Sequence, residues 1–276
     1  MPGKVVFVTG ASSGIGEAAA VRLHSLGCIV YAGARRTARM AHLADRGIRV
    51  LALDVTDPAS CRSAVDRISE EAGGVDVLVN NAGYGSYGAV EDVPLPEARD
   101  QFDVNVFGTA ELIRLVLPHM RERRSGRIVN ISSMGGRIHT PLGGWYHATK
   151  FALEGLSDCL RLELQPFGID VVLVEPGSIR TEWGGIAARK LRETSGSGPY
   201  AGQAEAMART LDGEANARFS SSPTVVADAV ARAVTDRRPR TRYVVGTGAR
   251  PLILLRTVLP DRAFDTLMRV ANRLPR

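Results

Sequence analysis

Three glycines, Gly10, Gly14 and Gly16, stand between the apolar run Val5-Val6-Phe7-Val8 and a stretch that carries Ile15, Ala18, Ala19 and Leu23 at helical spacing. A short apolar run closed by a turn signal reads as a buried strand, and residues Gly14 to Leu26 read as a helix packed on it. Glycine permits the tight turn and the close backbone approach that such a junction needs. The chain is thereby committed, from its first residues, to strand, sharp turn and helix. A helix that begins at such a turn aims its unpaired N–H groups and a partial positive charge at the turn, which suits an anion.

The same rhythm continues. Short apolar runs at Ile29 to Ala32, Val50 to Leu53, Val75 to Val79, Arg127 to Ile131, Asp170 to Val174 and Arg242 to Gly246 are separated by helical sequence. Strands alternating with helices predict an α/β fold, a doubly wound parallel sheet of Rossmann type with about seven strands. A length of 276 residues suits one such domain with a full core. Within it, 1–181 reads as the cofactor-binding and catalytic core, 182–222 as a mobile helical substrate lid rich in Gly and Ser, and 223–276 as a C-terminal helical extension. Long irregular stretches such as Thr194 to Pro199 are functional more often than idle.

Lysines and arginines number 35 against 29 acids, a net charge of +6. The basic clusters Arg121 to Arg124 and Arg237 to Arg240 lack interleaved aromatics and stand where elements should end, so no nucleic-acid partner is expected. The excess favours an anionic ligand. Three separated cysteines, Cys28, Cys61 and Cys159, lack metal-ligand spacing, and their odd number argues against a disulfide framework. With no signal-peptide pattern and no run long enough to span a membrane, the expected location is the cytoplasm.

In an open parallel sheet ligands bind beyond the carboxyl ends of the strands. Gly10, Ser12, Ser13, Gly14, Ile15 and Gly16 occupy the first such end, in the spacing G-x-x-x-G-x-G, and read as the cradle of a dinucleotide pyrophosphate. An NAD site wants an acid after the second strand, whereas Ala34-Arg35-Arg36 offers two guanidiniums, which match a 2′-phosphate and predict NADP(H). Asp54 and Val55 end the third strand, where a carboxylate can accept from an adenine amino group. Asn80, Asn81, Ala82 and Gly83 end the fourth, beside the adenosine ribose.

Tyr146 and Lys150 are four residues apart, on one face of a predicted helix, with Ser133 thirteen residues upstream. A cation held beside the phenol lowers its pKa and makes it a usable proton donor and acceptor. Taken with Thr9 to Gly16, Asn80 to Gly83, Asn105 and the run Pro176-Gly177 to Thr181, this set resembles the short-chain dehydrogenase/reductase family, in its hydroxysteroid and retinol dehydrogenase-like branch. The resemblance covers residues 4 to 181. It implies Tyr146 as proton donor and acceptor, Ser133 as holder of the substrate oxygen, Lys150 as ligand of the nicotinamide ribose, and Asn105 as anchor of a water. It also implies that the backbone of Pro176, Gly177 and Ile179, with the Thr181 hydroxyl, meets the nicotinamide carboxamide. The family often has Asn before Pro-Gly; here Glu175 stands there. His147, next to Tyr146, is expected to face elsewhere on the helix, and His139 to be a surface or loop residue.

The expected activity is thus interconversion of a carbonyl and an alcohol by hydride transfer with NADP(H). Trp145, Trp183, Leu142 and Met134 around the motifs suggest a bulky apolar substrate. Two basic amphipathic stretches, Pro251 to Leu255 and Ala263 to Val270, read as a cap or a packed helix, with peripheral membrane contact as the other reading. The resemblance implies a homodimer or homotetramer through helices near residues 100–120 and 146–165. A non-catalytic NADP-binding regulator is the alternative; it typically lacks the Tyr or Lys that this chain keeps. An isomerase or dehydratase on this scaffold needs a larger C-terminal domain than remains.

Overall fold

Val5 and Phe7 turn to one side of the first strand, Val6 and Val8 to the other, and all four are buried. A strand covered on both faces is the mark of a parallel sheet between two helical layers. The computed structural model describes residues 3–274; residues 1, 2, 275 and 276, at the ends of the expected domain, lie outside the described residues. Its strands are β1 (Val5–Thr9), β2 (Ile29–Ala34), β3 (Arg49–Ala52), β4 (Val77–Asn80), β5 (Gly126–Ile131), β6 (Ile169–Pro176) and β7 (Arg242–Val245). They form one parallel sheet in the order β3-β2-β1-β4-β5-β6-β7.

The helices are α1 (Gly14–Ser25), α2 (Ala41–Ala44), α3 (Pro58–Ala72), α4 (Leu95–Phe102), α5 (Gly108–Glu122), α6 (Gly144–Leu164), α7 (Trp183–Ser195), α8 (Ala201–Asp212), α9 (Glu214–Phe219), α10 (Pro223–Thr235), α11 (Ala249–Val258) and α12 (Asp261–Ala271). Helices α1 and α10 close one face, with Ala19, Ala20, Leu23, Val226, Val230 and Val234 against Val6, Val8 and Val30. Helices α3 and α5 close the other, with Ile68, Leu112 and Val116 against Phe7, Leu78 and Ile128. Strand order reverses between β1 and β4, so the crevice at their carboxyl ends is the place where this fold binds ligands.

Two elements depart from the sequence reading. Strand β6 runs to Pro176 because Glu175 and Pro176 pair with Val244 and Val245 of β7. Segment 182–222 is helical as expected, but the sequence did not show that its helices pair: α7 and α8 pack on each other through Ala187, Ala188, Leu191, Ala204, Met207 and Ala208, joined by a short link at Gly196 and Ser197. Small residues at helical spacing let two helices approach closely, a signal that the Gly/Ser run between them hides in a linear scan. Ser195 ties the end of α7 to the loop after β4, accepting from the Ala89 N–H at 2.9 Å and donating to Asp92 at 2.6 Å. The amphipathic C-terminal stretches spend their apolar sides on the body, Phe264 and Met268 packing with Met134, Ile138 and Leu252.

Candidate active site

The β1–α1 turn is built with no room for side chains. Gly10 and Gly14 have φ of 64° and 62°, in the left-handed region that favours glycine. A Cβ on Gly16 would stand 2.5 Å from the Gly10 carbonyl oxygen and 2.4 Å from Asn81 Nδ2. Asn81 donates to the carbonyls of Thr9 and Gly10 at 3.0 and 3.1 Å, while the N–H groups of Asn81 and Ala82 both donate to Thr9 Oγ1. Its side chain thus holds the glycine turn rather than reaching outward, a role that only the meeting of β1 and β4 reveals. Ser12, Ser13 and Ile15 lie at the mouth of α1, and Thr181 closes over Gly14 from the far side, its Cγ2 3.1 Å from where a Cβ would stand.

Strand β2 ends at Ala34, so Arg35 and Arg36 emerge directly at the crevice, both exposed. Arg36 donates to Ser12 Oγ at 3.5 Å, and neither arginine is ion-paired among the described residues. Arg39, which the sequence reading passed over, forms a two-pronged pair with Glu182 at 2.7 and 3.1 Å, across the crevice mouth. Burial pushes the Asp54 carboxyl up, but hydrogen bonds from the Thr56 N–H and hydroxyl outweigh it and leave it below its ordinary value. Val55 is buried beside it, and Gly83 abuts Asn105.

Asn105 sits in a π-turn, Asp103–Phe107, between α4 and α5. Such bulges re-aim a side chain within a helix. Its amide donates to the Tyr84 carbonyl at 2.9 Å and to Thr149 Oγ1 at 3.0 Å, and its Oδ1 accepts from the Tyr84 N–H. Thr149 in turn donates to the Tyr146 carbonyl at 2.8 Å. The chain from the β4 loop to α6 is continuous and buried.

Ser133, directly after β5, accepts from the Gly135 N–H at 2.9 Å, which leaves its hydroxyl proton free to be donated to Tyr146. Tyr146 and Lys150 are both buried. Lys150 Nζ donates to the Ile131 carbonyl at 2.9 Å. Here the sequence expectation needs correcting. Burial pushes the Tyr146 phenol up to about 12, opposed only by the Ser133 hydrogen bond, and pushes the Lys150 ammonium down to about 8, opposed by the Glu154 carboxylate. Desolvation penalises both charged forms, and that penalty outweighs the attraction that the four-residue spacing suggested. At neutral pH Tyr146 is a phenol poised to give its proton.

Three aromatic rings converge above this pair. Tyr146 lies 5.2 Å from Trp183 and 5.8 Å from Tyr87, and Tyr87 meets Trp183 edge-on at 5.9 Å. Leu142 packs with them, whereas Met134 belongs to the cluster under α11 and α12, and Trp145 joins neither. Tyr87 was missed in the sequence; its one signal is an aromatic in the loop that follows Asn80 to Gly83. Gly177 donates to the Val245 carbonyl and Ile179 pairs with Ser221, so the segment from Pro176 to Thr181 is pinned where the crevice opens. His139 pairs with Asp265 of α12 at 2.9 Å, while His147 is buried.

Glu175 is fully buried behind the site, its Oε1 3.0 Å from Arg242 Nε and 3.5 Å from Arg137, its Oε2 without a partner. Glu154 shares Arg242 at 3.0 Å, and its Oε1 is also unpartnered. Burial and the adjacent Glu154 carboxylate raise the Glu175 pKa to about 7, against Arg137 and Arg242. A carboxyl whose folded pKa lies above its unfolded value stabilises the fold fully below the unfolded value and loses that contribution as pH rises to the folded one. Glu175→Gln keeps an acceptor for Arg242 and supplies an N–H for Glu154. The melting temperature of the wild type is therefore expected to fall between about pH 5 and about pH 8 relative to that of Glu175→Gln. Parallel curves would mean that Glu175 is ionised throughout.

This crevice, with its buried Tyr and Lys and the Ser beside them, defines a short-chain oxidoreductase. The family model for short chain dehydrogenase matches residues 4–190, and the chain belongs to that family. Over 272 residues it is 37% identical to the 3-ketodihydrosphingosine reductase of Bacteroides thetaiotaomicron, 98% of each chain being covered. The crystal structure of a short-chain dehydrogenase from Streptomyces avermitilis matches with a TM-score of 0.81 at 35% identity, covering 99% of this chain and 98% of that one. A family member from Burkholderia phymatum, solved in complex with NAD, matches with a TM-score of 0.80 at 26% identity, covering 96% and 95%. Among the described residues no helix is long and apolar enough to cross a membrane.

Proposed function

We propose that this protein is an NADP(H)-dependent oxidoreductase that interconverts a carbonyl and an alcohol on a bulky apolar substrate. The observation that carries this reading is the Tyr146 phenol, buried beneath the Tyr87 and Trp183 rings with Lys150 buried on the same helix and Ser133 just beyond the end of β5. The side-chain-free turn at Gly10, Gly14 and Gly16 fits a pyrophosphate, and the unpaired Arg35 and Arg36 fit a 2′-phosphate. When bound, the nicotinamide cofactor supplies the hydride. Ser133 holds the substrate oxygen, and Tyr146 gives its phenolic proton to that oxygen as negative charge develops there. Lys150 keeps a cation beneath the site, and the Asn105 and Thr149 hydrogen bonds hold the helix that carries Tyr146. Helices α7 and α8, with Trp183 at their start, form the lid over the substrate. Phe107, Phe151 and Leu162 are exposed on or beside α5 and α6, which supports pairing of two copies there.

An apolar substrate agrees with the aromatic cluster and with the name of the Bacteroides relative, a reductase of a keto compound. Each methylene buried is worth about 0.8 kcal/mol, so four are worth roughly 200-fold in kcat/KM. A panel of ketones followed by the absorbance of reduced nicotinamide is expected to favour long-chain or polycyclic ketones over small polar ones by about that factor. Equal turnover across the panel would remove the apolar-substrate reading.

A further inference from the structure

His147 lies inside the Tyr146 to Lys150 segment, yet the carbonyl chemistry above makes no use of it. Its ring is buried, and each nitrogen is engaged by a different part of the β5–α6 connection. Nδ1 lies 2.8 Å from the Gly135 carbonyl oxygen, two residues beyond Ser133. The Thr140 N–H donates to Nε2 at 3.0 Å, and the Thr140 hydroxyl lies 2.9 Å from the same nitrogen. A backbone N–H can only donate and a carbonyl can only accept, so these contacts require a neutral imidazole with its proton on Nδ1.

The two parts of this connection that the ring joins have distinct tasks. The Gly135 loop carries Ser133, whose hydroxyl accepts from the Gly135 N–H. The Thr140 loop carries Leu142, which holds a left-handed φ of 60° while packing with Tyr87, Tyr146 and Trp183. A non-glycine residue in that region persists where its surroundings over-determine it. One restraint on Leu142 is the Gly88 N–H donating to its carbonyl at 2.8 Å; the other is the His147 grip on Thr140, two residues before. Glycines make room for the ring on both sides: a Cβ on Gly135 would stand 3.2 Å from Nδ1, and one on Gly143 2.9 Å from Cδ2.

We infer that His147 is a positioning residue, a neutral Nδ1–H clamp that sets Ser133 with one nitrogen and the Leu142 substrate loop with the other. The inference rests on the roles given above to Ser133 and Tyr146. Protonation places a hydrogen on Nε2, leaves the Thr140 N–H without an acceptor, and turns the new N–H toward the Ile138 carbonyl. The groups facing the ring are the Gly135, Ile138 and Thr140 loop atoms, the Tyr87 and Tyr146 rings at 6.5 and 5.6 Å, and His139, whose partner is Asp265. Burial lowers the His147 pKa, helped by His139 and opposed by the Gly135 and Ile138 carbonyls. A base whose folded pKa is depressed contributes stability above its unfolded value and loses it as pH falls through the folded one. The clamp therefore holds at neutral pH and opens in acid.

Nitrogen-15 spectra of the free protein are expected to show the Nδ1–H tautomer, with the Thr140 amide protected from exchange near neutral pH and losing that protection in step with His147 protonation. This readout needs neither cofactor nor substrate, so it fails or succeeds independently of the assigned activity. Kinetics then separate the two grips. His147→Asn keeps a donor for Gly135 and loses the acceptor for Thr140, so KM for a bulky ketone is expected to rise about tenfold with kcat within about twofold, the order set by one buried hydrogen bond left unmade. His147→Gln reaches the Thr140 side and releases Gly135, so kcat is expected to fall by a similar factor with KM held. The wild type is expected to show an acid limb in kcat/KM, and both variants should lose it. An Nε2–H tautomer, a Thr140 amide indifferent to pH, or an acid limb retained in both variants would overturn the inference.

Discussion

Tyr146→Phe is expected to lower kcat/KM for carbonyl reduction by about 10³-fold, the middle of the range that a positioned proton donor contributes. The phenyl ring keeps the contacts with Tyr87 and Trp183, so only the hydroxyl that meets Ser133 is lost. Binding of NADPH, followed by fluorescence titration, should stay within about twofold of the wild type, since a group that acts only in the transition state leaves ground-state affinity intact. Burial pushes the phenol up to about 12, so at neutral pH the side chain carries the proton that it gives. Full activity in the variant would remove Tyr146 from the mechanism. Loss of activity together with loss of NADPH binding would instead mean that the ring, not the hydroxyl, is what the site needs.

Replacing Arg35 and Arg36 together by Ala should raise the Kd for NADPH about 100-fold while changing that for NADH by no more than about threefold. Two charge-assisted hydrogen bonds to a 2′-phosphate, each worth about 1.5 kcal/mol at an exposed position, add to that factor. The arginines stand directly after β2 with no acid in the place an NAD site uses. The Burkholderia relative was solved with NAD, so the residues after β2 are where the distinction between the two cofactors is tested. Calorimetric titration of both cofactors reads the result directly. Equal weakening for NADH and NADPH would refute the 2′-phosphate role, leaving the pair as general attraction for an anion.

Much of this site was legible because its parts are local. Gly10, Gly14 and Gly16 act within one turn, and the helix N-terminus behind them is a property of a few consecutive residues. Ser133, Tyr146 and Lys150 were legible as a family pattern, and β5 and α6 place them together. The sign of the pKa shifts was not legible. Spacing suggested that Lys150 would lower the Tyr146 pKa, but both groups are buried, and the cost of removing charge from water depends on what other parts of the chain lay over them. The helical character of residues 182–222 was legible, but the pairing of α7 with α8 was not, for a related reason. Its stabilising contacts run between Ala187, Leu191, Ala204 and Met207, across a Gly/Ser link that reads as a loop.

Asn81, Tyr87, His147 and Glu175 show where linear reading ends. Asn81 was assigned to the ribose and braces the glycine turn; Tyr87 had no motif; His147 was expected to face elsewhere on the helix than Tyr146, and its partners Gly135 and Thr140 were not legible; Glu175 had no assigned role and meets Glu154, Arg137 and Arg242 in a buried cluster. Each acquires its role from a partner on another element. By itself the sequence determined the alternation of strands and helices, the glycine turn after β1, the two arginines after β2 and the Ser, Tyr and Lys set, because periodicity, glycine geometry and motif spacing are encoded over short distances. Tertiary structure alone decided which of these groups are desolvated, which nitrogen of His147 carries the proton and which rings surround Tyr146. Burial and hydrogen-bond partnership are properties of residues brought together by the sheet, and no stretch of chain carries them alone.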